Sequence, residues 1–311
     1  MRLDTHVHTT HSGKATVFPF NHFMRESYNT PESVYATAKK RGMDLVVVTD
    51  HDEISGALAL GPRPDVLVGC EVTAEWPDID LCVHLNVLDI TQAQHEEIQR
   101  RRCDVRDLMP YLCEQGIYTS LNHVASGING PLTAAHLAAV LPWVDGLEVI
   151  NGTRQRSQNR TAMCLAAATG KHTLGGGDSH TGRGIGLTWT EVPGARTREE
   201  FMAGLRAGRG IAGGAHGGVR TMMSDMWRFT GNFLSESATT MANAPADWRG
   251  YAATFGGVFA LPLIPALMVA PFIHFLHEQQ FNRDLLYDLI AKPSVADRLA
   301  TELATDYADC Y

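Results

Sequence analysis

The sequence has little of what marks a nucleic-acid binder or a secreted protein. Lys and Arg number 26 against 34 Asp and Glu, a formal net charge of −8, so no broad basic face for nucleic acid is expected. The six cysteines contain no C-x-x-C pair, and no secretory signal is recognised at the start, so we expect reduced thiols in a cytoplasmic protein. A small phosphorylated substrate is still compatible with this charge, because a local metal cluster can outweigh it.

What is present, over roughly the first 220 of 311 residues, is an alternation of apolar strand-like and helix-like runs. The run MDLVVVTDHD at 43–52 is typical of a buried parallel strand, and residues 80–90 predict a further strand. The run at 30–42 predicts a helix with Thr30 as N-cap, and 91–116 predicts one long helix. Parallel strands with outer helices open at one face, so we expect a barrel-like α/β fold, distorted or short of eight strands.

Side chains that bind metals recur where these apolar strands end. His6 and His8 are two residues apart, as are Asp178 and His180, and alternate residues of a strand point to the same side. His51, Glu71 and His123 are candidates at further strand ends, and His84 is a candidate within a strand. A buried core histidine explains any one of these positions but does not easily explain all of them. Imidazole and carboxylate together suit Zn, Mn or Fe, and their number predicts two or three divalent metals, with Glu71 as a bridge.

The ordered motifs of this chain resemble those of the polymerase-and-histidinol-phosphatase (PHP) family over about residues 1–215. They are DTHVHTTHSG at 4–13, TDHD at 49–52, GCEVT at 69–73, NH at 122–123 and GDSHTGRGIG at 177–186. The resemblance implies a distorted, TIM-like (β/α)7 barrel with a trinuclear metal cluster, most often a phosphoesterase. Carried over by motif, His6, His8, Glu71 and Asp178 would hold the first metal, Glu71, His84 and His123 the second, and His51 and His180 the third.

The chain departs from the family at one position. An Asp or His is usual five or six residues after the second histidine of H-x-H, as a further ligand to the third metal. Here these positions are Gly13 and Lys14. Three hypotheses follow: His11 is a substitute ligand, the third site is weak or empty, or the Lys14 ammonium replaces the cation and binds a substrate phosphate.

The leading functional hypothesis is a metal-dependent phosphoesterase in which a metal-bridging hydroxide attacks phosphorus. Lys14, Arg154 and Arg156 are candidates for holding the phosphate, and Asp50 is a candidate for orienting a neighbouring ligand. The same cluster could hydrolyse an amide or a lactone, since metals also polarise a carbonyl. A third hypothesis is a metal-stabilised binding module without catalysis.

Residues 221–311 lack the strand–helix alternation and are expected to form a helical extension to the barrel of residues 1–220. Residues 250–277 contain no Asp, Glu, Lys or Arg, but Pro262, Pro265 and Pro271 are expected to interrupt them. A pair of short buried helices against the barrel or a second subunit is one interpretation. Membrane insertion or association, with a cytoplasmic protein anchored through this segment, is the other.

Overall fold

The computed structural model describes residues 1–15, 24–130, 132–243 and 264–291, which form two sheets surrounded by helices. A six-stranded mixed sheet has the order β2-β3-β4-β5-β6-β7, and a three-stranded antiparallel sheet has the order β1-β8-β9. The strands are β1 (Arg2–Leu3), β2 (Val46–Val48), β3 (Val66–Glu75), β4 (Cys82–Leu88), β5 (Tyr118–Leu121), β6 (Gly146–Asn151), β7 (His172–Gly176), β8 (Thr188–Glu191) and β9 (Ile211–Gly214). The α/β fold is confirmed, while the count of a (β/α)7 barrel is not.

Nine α-helices lie in the part of the chain that the structure describes. They are α1 (Pro31–Lys40), α2 (Ser55–Ala59), α3 (Gln92–Arg101), α4 (Val105–Glu114), α5 (Ala134–Val140), α6 (Arg156–Thr169), α7 (Arg198–Arg206), α8 (Val219–Asn243) and α9 (Ile264–Ala291). The predicted start of α1 is confirmed, because the Thr30 side chain accepts a hydrogen bond from the Ser33 backbone N–H and Pro31 opens the helix. The helical C-terminal part is also confirmed.

The single long helix predicted over 91–116 is wrong. The structure has α3 and α4 instead, and Asp104 separates them as a second N-cap whose side chain accepts from the Arg106 backbone N–H. An aspartate in extended conformation favours a helix start over a helix interior, since its carboxylate satisfies an otherwise unpaired N–H.

The expected parallel arrangement also fails at β4, which follows β3 after a short connection and pairs with it antiparallel. Strand β5 then pairs antiparallel with β4, so β4 runs against both of its neighbours. This reversal sets Thr73 opposite His84 and Glu71 opposite Asn86. His84 lies within β4, as the sequence predicted, but on a strand that runs against its neighbours.

The apolar C-terminal segment forms one continuous helix over its described part, contrary to the expected interruption. Pro265 is the second residue of α9, where a missing N–H costs little, and the helix continues through Pro271. Pro262 lies outside the described residues. The buried Glu278 attaches α9 to the barrel by accepting from Ser126 Oγ at 2.8 Å and from Gln158 Nε2 at 2.6 Å.

No helix of the described residues combines the length and the apolar character that crossing a membrane requires. The expected contact of residues 250–277 with a second subunit or a membrane surface stays a prediction.

Strand β7 ends in two glycines because the backbone segment that carries His6 passes directly over it. A Cβ added to Gly176 would lie 2.5 Å from the Cβ of His6 and 2.7 Å from Glu148 Oε1. Both distances are far below van der Waals contact, so a side chain here would displace the backbone that carries His6.

Gly176→Ala is expected to lower the free energy of unfolding by about 1–3 kcal/mol, the usual cost of overpacking a core. Urea denaturation measures this loss. Gly218→Ala is the matched control, since its added Cβ would meet nothing within 4 Å. Equal stability of the two variants would contradict the close approach of β7 to His6.

Candidate metal centre

The carboxylate of Glu71 lies at the middle of a buried group of imidazoles. Five ring nitrogens approach it: Oε2 is 3.1 Å from His6 Nε2, 3.2 Å from His8 Nε2 and 3.3 Å from His51 Nδ1, while Oε1 is 3.4 Å from His84 Nδ1 and 3.2 Å from His123 Nε2. Asn122 donates a hydrogen bond of 2.8 Å to Oε1. Glu71 is 1% exposed, so it meets these groups with almost no water around it.

The hydrogen-bond partners of the first two histidines fix which ring nitrogen of each faces the centre. His6 Nδ1 donates to the carboxylate of Glu148 at 2.9 Å, so in the neutral ring that a metal requires the lone pair is on Nε2. Ser12 Oγ donates to Asp50 at 2.6 Å and so accepts from His8 Nδ1 at 3.1 Å. Both Nε2 atoms then point inward, 3.0 Å from each other. Ligand histidines are typically oriented by such a partner on the other nitrogen.

The segment that follows β7 contributes a carboxylate, Asp178, and a further imidazole, His180. Asp178 Oδ1 is 3.5 Å from His180 Nδ1, and its Oδ2 accepts from Asn151 Nδ2 at 3.2 Å and Thr153 Oγ1 at 2.9 Å. Arg154 Nη2 is 3.4 Å from the same Oδ2. One oxygen of Asp178 is thus held by neighbours while the other faces the histidines.

Burial and charge shift the ionisation of these groups in opposite directions. Burial lowers the pKa of His8, but Asp178 and Glu71 outweigh it and raise the pKa to about 9. The pKa of His84 is raised to about 10, since Glu71 outweighs burial there too. Burial prevails at His51 and lowers its pKa to about 3. The pKa of Glu71 lies well below its usual range despite burial, because the surrounding imidazoles favour its charged form.

The donor set fits divalent metal ions. Glu71 Oε2 is buried without a hydrogen-bond partner among the described residues, although three imidazole nitrogens lie within 3.3 Å of it. Inward-facing lone pairs beside an unpartnered carboxylate oxygen are a stable arrangement when cations lie between them. The donor atoms form four groups, each within 4.8 Å: His8, His51 and His180; His6, His8 and Glu71; His6, His123 and Asp178; and His51, Glu71 and His84. These groups include all eight side chains predicted as ligands.

The other predicted site residues lie at different distances from this centre. Asp50 is fully buried and contacts Thr9 and Ser12, so it reaches His8 through the serine and does not face the centre itself. Arg154 contacts Asp178, whereas Arg156 is exposed at the first turn of α6. Lys14 is exposed, next to the centre's first strand.

Sequence reasoning missed two carboxylates that the structure places at the centre. Glu148 accepts from His6 and from the His123 backbone N–H at 3.0 Å, and its signal was a lone acidic residue within an apolar strand. Glu26 Oε1 lies 3.5 Å from His180 Nε2. Burial raises the pKa of Glu26, but His180, His51 and His8 outweigh it and lower the pKa overall. No motif or periodicity in the sequence marked this residue.

Comparison with known sequences gives two matches. Residues 156–209, from α6 past α7, match a family model described as PHP-associated, and this range includes Asp178 and His180. An uncharacterized protein of Methanocaldococcus jannaschii is 33% identical over 93 residues, which are 28% of this chain. The match spans about half of that protein, 53% of its length.

Solved structures with a similar fold also exist. One is a two-domain protein of Bacteroides vulgatus containing a predicted PHP-like metal-dependent phosphoesterase. It is 16% identical to this chain with a TM-score of 0.50, and the match covers 72% of this chain and 68% of that one. Another is an amidohydrolase of Chromobacterium violaceum with bound sulfate and no metal: 18% identical, TM-score 0.44, covering 68% of this chain and 97% of that one. At 16% identity the likeness to the first of these structures concerns the fold alone.

Asp50→Asn is expected to weaken divalent-metal binding about 10- to 100-fold, because His8 would lose the serine–aspartate pair that holds its ring. Isothermal titration calorimetry with Zn²⁺ or Mn²⁺ measures the change. Asp65→Asn is the control, since Asp65 pairs with Lys39 and Tyr35 outside the centre. Unchanged affinity in Asp50→Asn would contradict this positioning role.

Proposed function

Starting from the confirmed resemblance to the PHP family, we propose that the protein is a metal-dependent hydrolase. More narrowly, we propose a phosphoesterase acting on a phosphomonoester or phosphodiester of a small molecule. The observation that carries the proposal is the Glu71 carboxylate, buried among five imidazoles with one oxygen unpartnered. Two to three ions such as Mn, Zn or Fe suit these donors, and when bound they supply Lewis acidity and lower the pKa of water.

The contribution of the chain is to hold the ligand side chains before any substrate arrives. Glu148 fixes His6, and the Ser12–Asp50 pair fixes His8, so neither ring has to rotate into position. His6 and His8 are fully buried, which keeps bulk water away from the inner side of the centre. Donors fixed in advance in a dry site stabilise developing charge at little reorganisation cost.

Arg154 is the side chain best placed to hold a phosphate. Its guanidinium is beside Asp178 and only 13% exposed, and its Nε is buried without a hydrogen-bond partner among the described residues. A planar guanidinium matches two phosphate oxygens at once. We therefore assign substrate binding first to Arg154 among the predicted cations, with Lys14 at the exposed edge as a second contact.

The direct test combines metal content with hydrolysis of a generic phosphomonoester and phosphodiester after Mn²⁺ or Zn²⁺ loading. We expect two to three metals per chain and phosphate release that falls to background in His8→Ala, because this ring serves two of the donor groups. His277→Ala, an exposed histidine of α9, is the control and should keep wild-type metal content.

One metal or none, with neither ester hydrolysed, would refute the proposal and favour a binding module. Bound metals with hydrolysis of a lactone or amide panel, but no phosphate release, would instead indicate carbonyl chemistry.

Arg154→Ala is expected to lower kcat/KM for the phosphate ester about 10- to 100-fold, the usual worth of a hydrogen bond to a charged group. Steady-state kinetics measure this, with metal content determined in parallel because Arg154 also contacts Asp178. Arg196→Ala, exposed in the loop before α7, should change kcat/KM little. Wild-type kinetics in Arg154→Ala would remove this residue from substrate binding.

A further inference from the structure

We propose that Glu26 is a metal ligand of this protein and completes a cation site with His51 and His180. The inference rests on the proposed metal-dependent function and adds a ligand that no motif of the chain predicts. It accounts for the departure at Gly13 and Lys14, where a carboxylate or imidazole was expected and neither is present.

The backbone brings Glu26 to the place where the sequence lacks a ligand. Lys14 and Arg25 form an antiparallel bridge, and the backbone N–H of Glu26 donates to the carbonyl of Gly13 at 3.0 Å. Glu26 is therefore the direct cross-strand neighbour of the residue at which a ligand is missing. The carboxylate that the sequence lacks at Gly13 and Lys14 is thus available from the segment paired with them.

The segment that carries Glu26 is hydrogen-bonded to the two segments that carry His8 and His180. Ser27 Oγ donates to the carbonyls of His8 at 3.0 Å and His180 at 3.2 Å. Asn29 Nδ2 donates to the carbonyls of His8 at 3.1 Å and Ser179 at 3.2 Å. These bonds hold the Glu26 segment against the segments of His8 and His180. A preformed metal ligand requires its backbone to be fixed in this way.

The side-chain geometry points to a cation between Glu26 and His180. His180 Nδ1 lies 3.1 Å from the carbonyl oxygen of Asp178, which can only accept, so Nδ1 carries the proton and a neutral ring has its lone pair on Nε2. That Nε2 is buried without a hydrogen-bond partner among the described residues, and Glu26 Oε1 lies 3.5 Å away. Two acceptors that face each other repel, whereas two ligands about 2.1 Å from one tetrahedral ion lie about 3.4 Å apart.

Further imidazoles complete the surroundings. The rings of His51 and His180 lie against the ring of His8, with centroids 4.5 Å and 4.2 Å from it, and donor atoms of the three rings lie within 4.8 Å of one another. Without Glu26 this group consists of imidazoles alone. With it, the donor set has the mixture of imidazole and carboxylate that Zn and Mn take.

This assignment differs from the hypothesis that the Lys14 ammonium replaces a third cation, because it predicts that the cation is retained. It also differs from the hypothesis that His11 substitutes, since His11 is exposed and its Nδ1 bonds to Ser55 Oγ at 2.8 Å.

The first experiment is metal stoichiometry of the full chain, by elemental analysis after Zn²⁺ or Mn²⁺ loading and removal of free ion. Glu26→Gln keeps the size of the side chain and removes its charge, and we expect it to bind one metal fewer than wild type or to bind the weakest metal at least about 100-fold less tightly. Glu236→Gln is the matched control, because Glu236 pairs with the adjacent Arg25 at the surface. It should bind as wild type does.

A second measurement does not depend on a variant that folds. Anomalous diffraction from crystals of the zinc-loaded wild-type protein should place an ion about 2.0–2.2 Å from a Glu26 oxygen. Ions near Glu71 but none at Glu26, or full stoichiometry and affinity in Glu26→Gln, would overturn the inference and leave the proposed hydrolase standing. A wild-type chain that binds no metal at all would overturn both.

Discussion

The buried carboxylate of Glu71 is the constraint around which the whole centre is organised. An ion so far from water is stable only when its charge is matched nearby. Of the five imidazoles around Glu71, His8 and His84 have raised pKa values and can carry that matching charge. In the metal-free chain, burial lowers the pKa of His8 and His84, but the carboxylates outweigh it and raise both pKa values, so bound protons supply the positive charge. Binding divalent ions would exchange those protons for metal at the same positions.

Strand direction decides how so many donors meet at one carboxylate. The antiparallel β3–β4 pair brings His84 to Glu71 from mid-strand, while isolated parallel bridges join Val7 to Ser179 and His51 to Glu71. Glu278 on α9 then closes one side by binding the turn that follows His123. Helix α9, the last described part of the chain, thus packs beside the centre.

The sequence allowed prediction of the features that depend on local pattern. Two-residue spacing marked His6 and His8, and capping chemistry marked Thr30 as a helix start, because both signals lie within a few residues. Strand direction did not follow from periodicity, which is the same for parallel and antiparallel strands. The strand predicted at 80–90 is therefore present as β4, but with the opposite direction to the one expected. Glu26 could not be assigned for a related reason, because its partner His180 is 154 residues away and no local pattern marks the pair. Glu148 had only one local signal, as a lone acidic residue within an apolar strand, and its partner His6 is 142 residues away.

The pairing of Val7 with Ser179 has a consequence for how the protein is made. Strand β1 pairs with β8, and the amino-terminal Met1 donates to the Val192 carbonyl, so the first residues pair with partners about 190 positions later. Contacts between residues this distant in sequence cost much chain entropy to form, because a long loop has to close, and they slow folding. On the ribosome, the segment bearing His6 and His8 has to wait until β8 has emerged. Until then the polypeptide exposes His6 and His8 without the carboxylate of Asp178 beside them, so the candidate centre is completed late in synthesis.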